Sequence, residues 1–220
     1  MTATNSKNEA QPVPEPDFFP RQPPRVIIPE ALGTIRTRRL ILRPLALSDA
    51  EDIFEHRRLQ AVADWLINPI PDSTVDDTRE YIKEQTFTTP DASGATGRMF
   101  SYAILLADDP TEKVIGALGI HALVPAPVLW YHTHPYSWGQ GFAREAVGAV
   151  LDAWWKLPRP NTEEDGEEAR TEKVFAGCGI RNVASLKTLS KNGFRTFKEV
   201  NLLGRDAVLL EAERPRDDLV

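Results

Sequence analysis

The sequence predicts an α/β fold, because strand-like and helix-like segments alternate along its 220 residues. The strand-like segments are runs rich in β-branched, aromatic and other apolar residues, bounded by residues that favour turns. We predict seven of them, at residues 34–44, 100–106, 113–124, 128–134, 173–179, 194–200 and 207–211. Together with four helices, they give the order β-α-α-β-β-β-α-β-α-β-β, without an internal repeat.

Three of the four predicted helices follow residues that cap helix N-termini. These residues are Ser48 (with Glu51 three positions later as a capping box), Ser73 or Thr74, and Asn182. The remaining helix spans 143–154, where apolar residues recur at helical spacing and charged residues lie on the opposite side. Pro158 follows this helix, and Gly193 is placed to end the last one.

The composition, with 41% hydrophobic and 26% charged residues, is typical of a globular protein. The formal net charge of −6 argues against a nucleic-acid partner, although a local basic pocket would be compatible with it. Cys178 is the only cysteine, which excludes an internal disulfide framework and suits a reducing compartment. No apolar run approaches the roughly 20 residues that span a bilayer, and the N-terminus lacks the apolar core of a secretory signal. We expect a cytoplasmic protein (or a nuclear one), a monomer or homodimer without a membrane partner.

The chain divides into parts that differ in composition: an arm at 1–30, one domain at 31–213, an acidic loop insertion at 158–171 within that domain, and a tail at 214–220. The arm holds seven of the eighteen prolines and is predicted to be largely irregular. We expect it to be disordered, although Phe18, Phe19 and the apolar residues 26–28 could dock on the domain or on a second subunit.

A glycine-rich segment at 138–143, with the sequence WGQGFA, separates a predicted strand from the amphipathic helix. Glycines allow the backbone to turn tightly and to approach a ligand closely. A helix N-terminus directs unpaired N–H groups and a partial positive charge at that ligand. The arrangement therefore predicts a phosphate-binding loop.

Four short motifs occur in order and at domain-like spacing. They are TRRLILRP at 37–44, VIGALGI at 114–120, WGQGFAREA at 138–146, and NVAS at 182–185 running on to KNGF at 191–194. In this combination the sequence resembles the GNAT superfamily of acetyl-CoA-dependent N-acetyltransferases, and most of all its branch of ribosomal-protein N-terminal acetyltransferases. The resemblance covers roughly residues 32–213.

The resemblance implies a mixed, mostly antiparallel central sheet of about six to seven strands flanked by about four helices. That sheet would be splayed where acetyl-CoA binds. The implied activity is direct transfer of an acetyl group to a primary amine in a ternary complex, the amine being the α-amino group of a protein or peptide or a small-molecule amine. A catalytically silent acyl-CoA-binding or interaction protein that retains the fold is the alternative.

The resemblance also implies which residues contact the cosubstrate. The backbone N–H groups from Gly139 to Arg144 would bind the pyrophosphate of coenzyme A, and the pantetheine arm would pair with the strand backbone around 132–134. The implied cofactor-binding residues are Thr133, Trp138, Gly139, Gln140, Gly141, Phe142, Ala143, Arg144, Asn182 and Ser185. Asn182 is equally explained as a helix cap.

The catalytic residues are less evident, because Val128 stands where many relatives carry a carboxylate and Leu189 where others carry a tyrosine. The candidates that remain near the loop are His132, His134 and Ser137. Both histidines project from one face of the strand, and histidine is a natural base near neutral pH. The blander interpretation, which we weigh more heavily, is that they are ordinary half-buried polar residues beside the cofactor. A metal site is rejected, since no third ligand is evident nearby.

A site without an obvious carboxylate favours an amine that is easily deprotonated. An α-amino group has a pKa of about 7.7–8.0, whereas deprotonating a lysine side chain at pH 7 costs about 4–5 kcal/mol. We therefore expect an α-amine, an arylamine or a small weakly basic amine as the acceptor. A nucleotide-dependent enzyme ranks last, because the loop lacks the Gly-Lys-Ser/Thr ending of a P-loop.

Overall fold

The computed structural model of the protein describes residues 18–66, 69–160, 172–202 and 204–215. Its strands form two antiparallel sheets. The larger sheet contains, in spatial order, β1 (Ile35–Arg36), β2 (Leu40–Pro44), β3 (Phe100–Leu106), β4 (Val114–Ile120) and β5 (Leu129–Thr133). The smaller sheet contains, again in spatial order, β6 (Lys173–Gly179), β8 (Arg205–Glu213) and β7 (Arg195–Leu202).

Within the described residues, five α-helices connect these strands: α1 (Ala50–Arg57), α2 (Gln60–Ala63), α3 (Val75–Lys83), α4 (Phe142–Trp155) and α5 (Val183–Ser190). Short 3₁₀ turns at Leu47–Asp49 and Pro135–Ser137 precede α1 and α4. None of the described helices is long and apolar enough to cross a lipid bilayer. Most of the predicted acidic loop (161–171) lies outside the described residues, as do 1–17 of the arm and 216–220 of the tail.

The predicted α/β fold with a mostly antiparallel sheet is confirmed. Two predicted strands, Phe100–Leu106 and Lys173–Gly179, match the structure residue for residue. The strand predicted at 34–44 is split into β1 and β2, because the Thr37 N–H donates to the Leu40 carbonyl (3.0 Å) and closes a turn. The first predicted helix is likewise split, into α1 and α2.

Two of the predicted helix caps are confirmed and one is wrong. The Thr74 hydroxyl accepts the N–H of Asp77 (3.2 Å), and the Asn182 amide oxygen accepts the N–H of Ser185 (3.0 Å). Ser48, in contrast, lies inside the first 3₁₀ turn. There the buried carboxylate of Asp49 accepts the N–H of Ala46 (2.9 Å) and pairs with the Arg43 guanidinium (2.6 Å). A carboxylate paired with arginine thus organises this turn in place of the predicted serine cap.

The two sheets meet at one point and then diverge. Val128, just before β5, forms a single parallel bridge with Phe175 of β6, and the Phe175 N–H donates to the Pro127 carbonyl (2.8 Å). Beyond this bridge, no hydrogen-bonded strand pairing joins β5 and β6 in the described residues. The result is a V-shaped opening between their C-terminal ends, which agrees with the predicted splay.

The helices cover the two faces of the larger sheet. On one face, α4 packs its apolar stripe, including Val147, Val150 and the fully buried Trp154, against residues such as Leu40 and Leu118. On the other face, α1 and α3 pack residues such as Ile53 and Ile82 against β3 and β4, in a second cluster. Strand β5 therefore has helices on both sides. Its alternate side chains point to two different environments.

From Phe18 onward the N-terminal arm lies on the domain, so the expectation of disorder is wrong for residues 18–30. Val26 and Ile28 are fully buried, and the ring of Phe19 packs on Phe175 (centroids 5.4 Å apart). The Gln22 side chain accepts the N–H of Lys173 and donates to its carbonyl (both 3.1 Å). The apolar side chains of this segment and the amide of Gln22 are enough to hold it on the domain without a helix or strand.

We expect Gly116→Ala to lower the free energy of unfolding by about 1–3 kcal/mol. A Cβ at Gly116 would lie 2.5 Å from the His132 carbonyl oxygen and 2.9 Å from Thr133, so β4 and β5 would have to separate. Urea unfolding followed by circular dichroism measures the change.

The matched control is Gly179→Ala, because a Cβ at Gly179 has no described atom within 4 Å. That variant should stay within about 1 kcal/mol of the wild type. Equal effects of the two substitutions would contradict the close approach of β4 and β5.

Candidate active site

The glycine-rich segment lies at the mouth of the V and leads directly into α4. Gly139 and Gly141 have φ angles of 74° and 80°, in the left-handed region that favours glycine. Gly141 is the N-cap of α4, and no side chain caps the helix there. The first N–H groups of an α-helix have no partner within the helix. Backbone N–H groups of residues 142–144 are therefore available to an anion, with the positive end of the helix dipole behind them.

A polar network connects this loop to β2. The Arg39 guanidinium donates to the Gln140 carbonyl (2.9 Å) and to the Glu145 carboxylate (2.7 Å), and lies over the Phe142 ring. The same carboxylate accepts the Thr37 hydroxyl (2.6 Å) and the Arg39 N–H (2.9 Å). Glu145 lies in the first turn of α4, where a free carboxylate would repel a phosphate. These bonds neutralise it and hold the loop in place.

The register of β5 determines which of its backbone groups face the opening. The N–H of His134 donates to Ile115 in β4 (2.7 Å), and the carbonyl of Val128 accepts from His121 (3.0 Å). Hydrogen-bonded positions alternate along an antiparallel pair, so the even-numbered residues of β5 bond to β4. The N–H and C=O groups of Tyr131 and Thr133 therefore point into the V. One of these groups is already used, because the Trp138 indole N–H donates to the Thr133 carbonyl (3.0 Å).

The opposite wall of the V is the start of α5. The Tyr131 hydroxyl crosses the opening and forms a 2.6 Å hydrogen bond with the Ser185 hydroxyl. Burial raises the pKa of Tyr131 to about 12, although the bond to Ser185 lowers it. The Cys178 thiol lies at the same end, 3.8 Å from the Asn182 carbonyl. The structure thus brings the predicted residues Asn182 and Ser185 to the cleft and adds Tyr131. Tyr131 was not predicted as a site residue, and its alternation with His132 along the strand was the only signal for it in the sequence.

The histidines of β5 lie on the other face of the strand, towards α1 and α3. His132 is 6% exposed, and its Nδ1 lies 2.8 Å from Nε2 of His56, which α1 contributes and which is fully buried. Burial, His134 and Arg57 lower the pKa of His56 to about 3. Burial, His56 and Arg57 hold the pKa of His132 well below its ordinary value. Both imidazoles are therefore neutral at physiological pH. Sequence reasoning missed His56, because only the packing of α1 against β5 brings the two rings together.

His134 and Ser137 form a cap at the end of β5. Nδ1 of His134 accepts the N–H of Tyr136 (3.2 Å), so its neutral ring carries the proton on Nε2. The Ser137 hydroxyl donates to the His134 carbonyl (2.7 Å) and is buried. Burial lowers the pKa of His134, Glu55 raises it and Lys113 lowers it further, with a net downward shift.

A GNAT acetyltransferase domain model matches residues 39–195, which is well over half of the chain. The chain belongs to the GNAT acetyltransferase family. By sequence, no curated protein matches it.

Solved structures of GNAT proteins share the fold at low identity. A GNAT-family acetyltransferase from Bacillus anthracis is 17% identical with a TM-score of 0.62, over 83% of this chain and 99% of the other. RimL, a ribosomal alpha-N-protein acetyltransferase in complex with coenzyme A, is 16% identical with a TM-score of 0.61, over 82% and 98%. In that structure, coenzyme A forms a disulfide with a cysteine of RimL. AAC(6')-Ib in complex with ribostamycin and coenzyme A is 13% identical with a TM-score of 0.56, over 80% and 93%.

The Glu145 network predicts a pH-dependent contribution to the stability of this GNAT protein. Burial raises the pKa of Glu145, but the hydrogen bonds from Thr37 and Arg39 outweigh it, and the net pKa is lowered. The stabilisation is therefore complete above the ordinary carboxyl pKa and is lost as the pH falls through the lowered one. We expect Glu145→Gln to be less stable than the wild type by about 1 kcal/mol at pH 7. This difference should shrink below about pH 4.

Urea unfolding of both proteins from pH 7 to pH 3 measures the difference. The control is Glu80→Gln, which removes an exposed pair with Lys83 and should change stability by less than about 0.5 kcal/mol at every pH. A Glu145→Gln difference that does not vary with pH would argue against the ionic network.

Proposed function

We propose that the protein transfers the acetyl group of acetyl-CoA directly to an amine of low basicity, such as the α-amino group of a protein or peptide or a small-molecule amine. The observation that carries this proposal is the V between β5 and β6. It combines outward-facing backbone groups of Tyr131 and Thr133 with the N–H groups at the start of α4. The strand backbone groups suit an extended arm that contains amides, and the N–H groups of the helix suit a pyrophosphate.

The residues around the V fit acetyl-CoA on three counts. A Cβ at Gly139 has no described atom within 4 Å, so the loop is open on that side. Glu145 is neutralised by Arg39, which removes the one acidic group in the first turn of α4. Tyr131 and Ser185 supply hydroxyl groups in the narrow part of the cleft. Bound acetyl-CoA would supply the acetyl group as a thioester, and the chain's own residues would position it.

The proposed acceptor side is the face of β5 that carries the histidines. His132 is the group we propose to accept the proton of the amine. His134 and Ser137 complete the proposed set, since the Tyr136 N–H and the Ser137 hydroxyl hold His134 with its Nε2–H free to donate. These groups work together to orient the amine, which must arrive uncharged.

The lowered pKa values of His56 and His132 support an amine of low basicity. A neutral imidazole of low pKa accepts a hydrogen bond from an amine, but it deprotonates an ammonium group poorly. Freeing an α-amine of its proton at pH 7 costs about 1 kcal/mol, against nearly 5 kcal/mol for a lysine side chain. The site therefore suits an α-amine better than a lysine side chain as the acceptor.

A catalytically silent acyl-CoA-binding protein is the second candidate function. It is favoured by Val128 and Leu189, which occupy positions where many relatives carry a carboxylate and a tyrosine. Both candidates bind coenzyme A, and only the first releases its thiol in the presence of an amine.

We expect free thiol to be released from acetyl-CoA in the presence of short peptides that have a free α-amine. With the same peptides carrying an acetylated N-terminus and a free lysine, the rate of thiol release should be at least tenfold lower, because the lysine amine has the higher pKa. A thiol-reactive dye measures the release. Mass spectrometry locates the acetyl group.

His132→Gln should lower the rate for α-amines by about 100-fold, in the range of general acid–base effects. His121→Gln is the control, since His121 is exposed and lies on the loop after β4. Faster transfer to lysine than to α-amines would exclude the proposed substrate class. Coenzyme binding without thiol release on any amine would favour the silent protein.

Cys178 allows the position of the coenzyme thiol to be tested directly. It is the only cysteine, and it lies beside Asn182 at the cleft. We expect a pyridyl disulfide of coenzyme A to react with it. The Cys178 thiolate attacks the coenzyme sulfur, the mixed disulfide forms and pyridine-2-thione leaves. Burial raises the pKa of Cys178, so the reaction should be slow without binding.

Thione absorbance and the mass of the protein measure this reaction. The pyridyl disulfide of cysteamine lacks the nucleotide and should react at least tenfold more slowly, and Cys178→Ser should not react. Equal rates for the two reagents would mean that the coenzyme thiol does not reach this end of the cleft.

A further inference from the structure

Helix α5 lies in a basic segment, although the chain as a whole is acidic. Residues 180–198 contain five lysines and arginines and no aspartate or glutamate, whereas the formal net charge of the chain is −6. Of the seven lysines in the described residues, four form salt bridges. The three that form none with described residues are Lys187, Lys191 and Lys198, all in this segment and all exposed. Unpaired positive charge of this kind attracts an anionic ligand.

The end of α5 packs on the first turn of α4, where backbone N–H groups are available to an anion. The side chain of Asn192, just beyond α5, donates to the carbonyl of Arg144 (3.2 Å) and to that of Thr188 (2.9 Å). The two helices approach closely, since a Cβ at Gly148 would lie 2.9 Å from the Asn192 amide oxygen. Arg144 and Lys191, which precedes Asn192, therefore lie on adjoining turns of α4 and α5.

The cationic side chains at this contact are free to bind a ligand. Arg144 and Lys191 are both exposed, and neither forms a hydrogen bond or an ion pair through its side chain within the described part of the chain. Lys187 is also exposed and lies four residues before Lys191, on the same side of the helix. Three positive charges thus border the start of α4 on the side of α5.

The opposite side of the glycine-rich loop has a different charge pattern. There the Arg39 guanidinium pairs with the Glu145 carboxylate (2.7 Å), so its charge is already used within the loop network. Arg38, in the turn between β1 and β2, is an exposed cation on that side. An anion on the α5 side meets positive charge without an acidic residue from α5, because the basic segment contains none.

We infer that Arg144 and Lys191 bind the 3′-phosphate of coenzyme A and make the protein select acetyl-CoA over its 3′-dephospho form. The inference rests on the proposed function, which assigns the pyrophosphate to the N–H groups of residues 142–144. Both forms carry the pyrophosphate, so those N–H groups cannot distinguish them. A phosphate monoester has a charge of about −1.5 to −2 at pH 7 and three acceptor oxygens. A guanidinium can bind two of these oxygens, and an ammonium group adds a point charge.

Calorimetric titration of the wild-type protein with coenzyme A and with 3′-dephospho-coenzyme A measures the selection. We expect the dephospho form to bind roughly 10- to 100-fold more weakly at low salt, the range for hydrogen bonds to a charged group. The ratio of the two affinities should fall as the salt concentration rises from about 0.05 to 0.5 M, because interactions between exposed charges are screened.

Two substitutions remove the charges one at a time. Arg144→Gln and Lys191→Gln should each weaken the binding of coenzyme A by roughly 3- to 10-fold and leave the affinity for the dephospho form within about twofold of the wild type. The double variant should bind the two forms with nearly equal affinity. The dephospho form also reports whether the rest of the site is intact, since it keeps the pyrophosphate and the pantetheine arm.

The matched controls are Arg38→Gln and Lys198→Gln. Each removes one exposed positive charge, the first on the opposite side of the loop and the second on β7. Both should keep the wild-type ratio of affinities for coenzyme A and its dephospho form. Loss of the preference in Arg38→Gln, with its retention in Arg144→Gln and Lys191→Gln, would overturn the inference.

The remaining outcomes separate this inference from the proposed function. Equal affinities of the wild type for the two forms would overturn the inference and leave the proposed function standing. An unchanged ratio in the double variant would do the same. An absence of binding of either form by the wild type would instead refute the proposed function, and the role of Arg144 and Lys191 with it.

Discussion

The structure depends on the single parallel bridge between Val128 and Phe175, after which β5 and β6 separate. A continuous sheet would pair every backbone group of β5 on both edges. Here the pairing stops after one bridge, so the groups of Tyr131 and Thr133 on that edge need other partners. The fold stabilises the junction from outside, since the Gln22 side chain from the arm pairs with the Lys173 backbone next to Phe175. The arm thus supports the closed end of the V, while the open end provides the cleft.

Strand β5 separates two environments with different chemistry. Its odd-numbered side chains, such as Tyr131, face α5 and the proposed cosubstrate. Its even-numbered side chains, such as His132, face α1 and α3. The alternation of side chains along a strand is enough to place a hydroxyl on one side and imidazoles on the other within two consecutive residues. The proposed cosubstrate and the proposed acceptor amine are therefore assigned to opposite faces of the same short stretch of backbone.

Although the formal net charge of the chain is −6, two arginines balance the acidic groups on either side of β5. At the loop, Arg39 neutralises Glu145 and at the same time holds the Gln140 carbonyl, so one guanidinium both removes a repulsive charge and fixes the loop geometry. On the other face, Arg57 bonds to Asp72, and burial, together with the positive charge of Arg57, holds the pKa values of the histidine pair low. In both places the rigid fork of guanidinium donors makes two hydrogen bonds, and the charge of arginine is permanent.

Local signals in the sequence were sufficient to predict most of the helices and strands and the glycine-rich loop. The glycines at 139 and 141, the cap at Asn182 and the apolar spacing of α4 each act over a few residues, so their structural consequences follow from composition and order. The prediction of a Ser48 cap was wrong for a local reason, because the neighbouring Asp49 organises the same turn and pairs with Arg43 of β2. The resemblance of four motifs was enough to assign the family.

Only the tertiary structure could show the contacts made across the fold. His56 meets His132, Tyr131 meets Ser185 and Gln22 meets Lys173, over separations of 76, 54 and 151 residues. No periodicity or cap signals such contacts, since they arise where helices and strands pack and where two strands diverge. The neutral state of the histidine pair and the shape of the cleft both depend on them. The sequence could therefore name the loop that we propose binds the cosubstrate, while the arrangement of the side chains proposed to contact the amine was decided by packing.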